Sequence, residues 1–339
     1  DINFSRIWIM KRKYLTEYAI CYMNSLTGII TADQLMSGGT LPPEEEQRLS
    51  NCHIYAIAAR PSVRYKPETI KHQNNTFSGT LVYRVDGKDC EFEFGNYSWE
   101  LEDGAVKLDC PYPHLVVNAV TPDGGTTTYM PANVMAMLRA RSDTQIHELN
   151  AFKVLYIGQA IGDGSRCAVD RLTSHSTLQR ILARAPYDHP DQEIVLFMYE
   201  FGHTKVLSSM DGRAVGAIAN DENDARFANA VKNPPKKKQS VGMIEAALIR
   251  YFQPEYNDKF KIKFPSTKLK TLKSCYDLDI SGLTVELDSS EIGVFMWSSS
   301  VSVSNHHTMS FDLVAPLKRA SFFDATGIKE MPGIIKATL

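Results

Sequence analysis

The chain has 339 residues, 43% hydrophobic and 22% charged, with 37 basic against 39 acidic side chains. That length allows two or three domains, each with a core, and the apolar fraction excludes a disordered protein. A formal net charge of −2 excludes a uniformly basic nucleic-acid binder but leaves room for one local basic groove.

Residues 1–75 read as a helical N-terminal region. Ile7, Ile9, Tyr14, Leu15, Tyr18, Ala19 and Tyr22 recur near helical spacing, and Leu41-Pro42-Pro43 leads into Glu44-Glu45-Glu46, a normal helix start. Residues 76–112 read as a small antiparallel β segment. Leu81, Tyr83 and Val85 alternate before the turn signal Asp86-Gly87, and Cys90, Phe92 and Phe94 answer them. A second pair, Trp99–Leu101 and Val106–Leu108, is expected around Asp103-Gly104.

Residues 113–265 mix strands and helices. His114–Val120 and Phe152–Ile157 read as strands, with a short helix after Pro131 between them. Arg166–Arg184 is helical and expected to stop before Pro186. Glu193–Phe201 is an apolar strand, Gly242–Phe252 a helix, and Pro234-Pro235-Lys236-Lys237-Lys238 a loop. Residues 266–339 return to β-rich sequence, with Leu283, Val285 and Leu287 alternating. The overall expectation is an α+β protein.

Six dispersed cysteines without a C-x-x-C motif point to reduced, buried thiols rather than a disulfide scaffold or a zinc site. Tyr18–Ile30 carries Asn24, Ser25 and Thr27 and is too short to span a bilayer. Lys11-Arg12-Lys13 is followed by no apolar stretch of the kind a signal peptide needs. A cytoplasmic, non-membrane protein is expected. His306-His307 lie on a strand and face opposite ways, so they cannot share a metal. Gly162-Asp163-Gly164-Ser165 lacks the lysine of a Walker loop, and Trp8, Trp99 and Trp297 read as core.

Chemistry concentrates in two places. The strand Val154-Leu155-Tyr156-Ile157-Gly158-Gln159 ends at a glycine, and Gly162-Asp163-Gly164 then turns the chain toward Arg171 and His175. Four residues apart, these two share one helical face and can address the same phosphate. Ser176 with Gln179 looks like a capping box, which alternatively places a corner between two helices near His175. Farther along, Glu245 sits in a helix that is apolar nearly all round. A buried carboxylate needs a cation. That cation is either a structural partner such as Arg171 or a divalent metal, since one carboxylate with waters and phosphate suits Mg²⁺.

This ordered set resembles the GIY-YIG nuclease superfamily, closest to its restriction-endonuclease branch: Tyr156-Ile157-Gly158 on a strand, Arg171 and His175, then Glu245 and Asn257 across a helix and Pro254. The resemblance spans roughly residues 114–262. It implies a small mixed sheet flanked by helices, with helical and β-rich flanking regions and an insertion at 202–239 that would cover the site, touch DNA or mediate assembly. It also implies metal-dependent hydrolysis of DNA in restriction or phage defence, using Mg²⁺ or Mn²⁺. Glu245 would hold the metal, Tyr156 would lie beside the attacking water or accept its proton, and Arg171 would contact the phosphate. His175 would move a proton or orient the nucleophile, and Asn257 would fix the geometry.

The G-I-Y half of the motif is absent from the strand at His114–Val120, and Tyr129 is the candidate for its phenol. Without that phenol, the alternative is an inactive nucleic-acid-binding or regulatory protein on the same scaffold. A palindromic target would call for a homodimer. Between Asn229 and Lys273, eleven Lys or Arg face three acids. The surplus brackets Glu245, and Lys236, Lys237, Lys238, Lys259, Lys261 and Lys263 are the candidate nucleic-acid contacts.

Overall fold

A computed structural model describes residues 13–36, 43–102, 104–141, 147–161, 167–202, 204–210, 216–314 and 321–323. Ile7, Trp8, Ile9, Asp103 and the Gly162–Ser165 turn lie outside the described residues.

The N-terminal segment is a strand, not the helix its spacing predicts. β1 (Thr16–Thr31) runs through the interior of a nine-stranded sheet, and Thr16–Tyr22 is buried throughout. A strand covered on both faces loses its period-two alternation, so apolar residues can fall at helical spacing by coincidence. Among the described residues of this region, helix is limited to α1 (Ala32–Met36), α2 (Pro43–Leu49), which opens on the expected proline and three glutamates, and a 3-10 turn at Pro67–Thr69. β2 (Ile54–Pro61) follows.

Residues from Val63 to Leu149 build a hydrophobic cluster of their own. It is formed by the sheet of β3 (Arg64–Tyr65), β4 (Lys71–Gln73), β5 (Thr76–Val85) and β6 (Lys88–Ser98), a second sheet of β7 (Lys107–Asp109), β8 (Val116–Val120) and β9 (Thr126–Pro131), and α3 (Ala132–Arg141). The β5–β6 hairpin pairs Val85 with Lys88 across Asp86-Gly87, both at positive φ as a two-residue type I′ turn requires. The second expected pair does not form. Trp99 instead packs its ring 5.0 Å from Phe77 in the cluster, and β7 pairs with β8.

β10 (Ala151–Gln159) returns the chain to the large sheet. α4 (Ala168–Thr173) and α5 (Ser176–Asp188) follow. Pro186 lies inside α5, where it removes a hydrogen bond only from the last turn. β11 (Gln192–Phe201) and β12 (Lys205–Met210) both pair with β1, so the expected 202–239 insertion partly extends the sheet. Its remainder holds α6 (Asp221–Lys232). α7 (Lys237–Phe252) begins earlier than expected: Lys236 is its N-cap, and Lys237 and Lys238 lie in its first turn rather than in a loop.

After α8 (Lys273–Asp277) come β13 (Gly282–Asp288), β14 (Phe295–Ser298), β15 (Val301–Ser304) and β16 (His306–Asp312). The sheet order is β15-β14-β10-β2-β11-β1-β13-β16, with β12 also on β1, so the C-terminal strands complete the large sheet. The fold is α+β. α7 covers one face against Phe152, Val154, Ile157 and Phe197, while α4 and α5 cover the other against Ile57, Leu155 and Leu196. No helix among the described residues is long and apolar enough to cross a membrane.

Candidate active site

β2 and β10 pair antiparallel, setting Tyr55 opposite Gly158 and Ile54 opposite Gln159. A bulge between Val154 and Tyr156 turns Leu155 and Tyr156 toward the same face, that of α4 and α5. Tyr55 lies on this face too, its ring 6.2 Å from that of Tyr156. A Cβ on Gly158 would sit 2.5 Å from the Tyr55 hydroxyl and 2.9 Å from the Tyr156 ring. Only glycine leaves room for both phenols.

β10 pairs with β14 only through Lys153. Beyond that point its outer edge is taken by the turn after α7. The Tyr256 amide donates to the Leu155 carbonyl at 3.0 Å. The Asn257 side chain mimics a strand: its Oδ1 accepts from Ile157 N at 2.9 Å and its Nδ2 donates to Ile157 O at 2.8 Å. Asn257 is buried and clamps the backbone between Tyr156 and Gly158, which makes it a positioning residue.

α4 ends at Thr173 and His175 caps α5, so Arg171 and His175 meet across a corner between two helices rather than along one face. His175 Nδ1 accepts the Leu178 amide at 3.3 Å. An amide can only donate, so the ring proton lies on Nε2, which donates to the Tyr55 hydroxyl at 3.2 Å. Burial, with the nearby Arg171 charge, holds the His175 pKa down to about 4. His175 is therefore a neutral donor at pH 7. Burial raises the pKa of both phenols, and the Glu245 carboxylate raises them further, while Arg171 opposes both effects. Arg180 adds a second cation beside Tyr156.

Glu245, on the opposite layer, is not paired with Arg171. Its Oε2 accepts from Gln159 Nε2 at 2.8 Å. Burial pushes its pKa up to about 7, against the Gln159 hydrogen bond and the Lys259 charge. No group of three His, Cys, Asp or Glu able to hold a metal occurs among the described residues. The donor set therefore does not fit zinc or an all-protein calcium cage. One partly buried carboxylate fixed by an amide fits a hard divalent ion that keeps most of its water.

Tyr156, His175 and Arg171 thus gather around Tyr55 on one face, with Asn257 behind them, while Glu245 on the α7 layer acts on the two phenols through its charge. Tyr129 does not join them: it is 64% exposed, on β9 of the other sheet. Lys236, Lys237, Lys238, Lys259 and Lys263 are exposed, and Lys261 is half-buried, with its carbonyl accepting from Gln253 at 2.7 Å. Of these, Lys259 is close enough to Glu245 for its charge to be felt. Sequence reasoning missed Tyr55, Gln159 and Arg180. The available signal was His53-Ile54-Tyr55, an Ile-Tyr pair that mirrors Tyr156-Ile157. Comparison with protein-family models, with curated proteins and with solved structures finds no match to this chain.

Proposed function

We propose that this site hydrolyses phosphodiester bonds with the help of a divalent cation. The more specific reading is a GIY-YIG-type endonuclease acting on DNA, in restriction or phage defence. One observation carries it: the Tyr55 hydroxyl, beside Tyr156, receives the His175 Nε2–H and faces Arg171, with Glu245 on the adjoining wall. The phenol expected from Tyr129 is supplied by Tyr55, which weakens the case for an inactive scaffold.

Tyr156 lies beside the attacking water, and Tyr55 takes its proton. Tyr55 must be ionised to do so, and the two donors directed at its oxygen stabilise the phenolate that this step consumes. His175, already neutral, orients Tyr55 and does not itself carry the proton away. Arg171 holds the phosphate and stabilises its developing charge. Glu245 would bind Mg²⁺ or Mn²⁺, which supplies charge neutralisation at the scissile phosphate. Charge compensation at Glu245 also removes one of the influences that keep both phenols protonated. Lys259 and the exposed lysines at the start of α7 offer phosphate contacts on either side.

The test is plasmid cleavage with Mg²⁺ or Mn²⁺. Tyr55→Phe, Arg171→Ala and Glu245→Ala are each expected to lower cutting by at least roughly a hundredfold, the scale of losing one charge-stabilising or proton-transfer group. Undiminished cutting by all three would rule out this site.

A further inference from the structure

Arg60, Arg84, Arg184 and Arg226 each grip a carboxylate at 3.0 Å or closer. Arg180, one helical turn before Arg184 on α5, has no such partner among the described residues. The nearby Asp188 is taken by Arg184 at 3.0 Å and by the Tyr256 hydroxyl at 3.2 Å. Arg171 likewise makes no ion pair among the described residues. Two guanidinium groups on the α4–α5 side of the site are therefore left without an acid.

Arg180 is exposed, yet its position is set. Its guanidinium lies over the Tyr256 ring, 5.8 Å from the centroid, an arrangement that attracts a cation to the ring face. Tyr256 is itself fixed at both ends, its amide donating to Leu155 O at 3.0 Å and its hydroxyl to Asp188. The Arg180 charge is thereby held beside β10 where Tyr156 enters the site. It is felt at the Tyr156 phenol together with that of Arg171.

Like charges near one phenol repel each other, so the pair calls for an anion carrying more than one charged group. The planar fork of a guanidinium matches phosphate oxygens, and a nucleic-acid strand presents phosphates in succession. Arg180 lies five residues beyond His175, about 7.5 Å farther along α5. That interval is close to two nucleotide steps at ~3.4 Å each. We propose that Arg180 holds a phosphate neighbouring the one that is cut, on the α5 side of the site, while Arg171 holds the scissile phosphate itself. The proposal rests on the nuclease reading for its substrate, but a contact to phosphate is measurable without cutting.

The probe is a fluorescein-labelled DNA duplex, its binding to the metal-free protein followed by anisotropy over a range of NaCl concentrations. Each phosphate contact adds close to one unit to the slope of log K against log[NaCl]. Arg180→Ala is expected to lower that slope by about one and to weaken binding at low salt by roughly three- to tenfold. Its melting temperature should not change, because the side chain is exposed. Arg184→Ala, whose cation is already paired, should move the slope much less. In the plasmid assay Arg180→Ala should raise KM more than it lowers kcat, as loss of a contact made equally before and during reaction does. A slope indifferent to Arg180→Ala, an equal loss in Arg184→Ala, a fall confined to kcat, or no salt-dependent binding by wild type overturns the proposal. Arg180-dependent binding without cutting keeps the phosphate contact and removes the nuclease; cutting with binding indifferent to Arg180 does the reverse.

Discussion

Glu245 is under opposing demands. To hold a cation it must be ionised, yet burial raises its pKa to about 7 from an unfolded value near 4.5. The folded state therefore binds this proton more tightly than the unfolded state. The resulting stabilisation is complete below pH 4.5 and lost as pH rises to about 7. Glu245→Gln should make the metal-free protein more stable by roughly 1–3 kcal/mol at pH 8 and by little at pH 4.5, while abolishing cleavage. Urea melts at the two pH values check the first half, and an equal effect at both would contradict the burial argument. Gly158 makes a similar point through volume. Gly158→Ala places a Cβ in the space of the Tyr55 hydroxyl, so it should cost about 1–3 kcal/mol as an overpacked site. Cleavage should fall at least tenfold even in molecules that remain folded, since the displaced group is the proposed proton acceptor. Full activity in a folded Gly158→Ala protein would mean that the Tyr55 phenol is not needed.

At the scale of elements, the site depends on how the edge of β10 is finished. The strand loses its β14 neighbour after Lys153, and the turn holding Tyr256 and Asn257 takes over the backbone hydrogen bonds. Asn257→Ala leaves a buried amide and carbonyl of Ile157 unpaired, so it should destabilise by about 2–4 kcal/mol. Cutting should also fall, because Tyr156 and Gly158 flank the released residue; a chemical melt and the plasmid assay read the two effects. The same elements explain what the sequence revealed and what it concealed. Tyr156, Arg171, His175, Glu245 and Asn257 were visible because glycines, prolines and helix starts punctuate the sequence around them. Tyr55 was hidden because Ile54–Ala59 is buried on both faces and shows no period, and because the residues from Val63 to Leu149 separate β2 from the strand it pairs with. β1 was misread for the same reason: Tyr18, Ile20 and Tyr22 face one packed layer, and Ala19 on the other face packs against Phe322 and Phe323. Lys237 and Lys238 read as loop because a basic first turn opposes the helix dipole. That unfavourable placement is a reason to look for an anion there.

The whole molecule reads as a core built on the large sheet, interrupted by an inserted unit. Val63–Leu149 has its own hydrophobic cluster, distinct from the two clusters that flank the large sheet. Its two ends leave from adjacent points, since Ala59 pairs with Lys153 near the end of β2 and the start of β10. A short turn could therefore join these antiparallel strands directly. Arg60 ties the junction, reaching Leu149 O at 2.8 Å and Asn133 O at 2.7 Å while pairing with Glu193 at 2.6 Å, beside the backbone bonds Ser62 N to Asp191 O and Phe295 N to Asn150 O. Replacing residues 62–150 with a two-residue Asn-Gly turn exposes Arg60 and removes its bonds to Leu149 and Asn133 together with the Ser62–Asp191 and Phe295–Asn150 backbone bonds. The cost is expected to be a few kcal/mol, given the strength of hydrogen bonds to a charged group. None of Tyr55, Tyr156, Arg171, His175, Glu245 and Asn257 is removed. Residual cleavage by the shortened chain should therefore keep its dependence on Glu245 and on divalent cation. If the inserted unit chooses the target, the pattern of plasmid fragments should become less specific. A shortened chain that folds, as judged by a cooperative melt, yet does not cut would place part of the catalytic apparatus in the inserted unit.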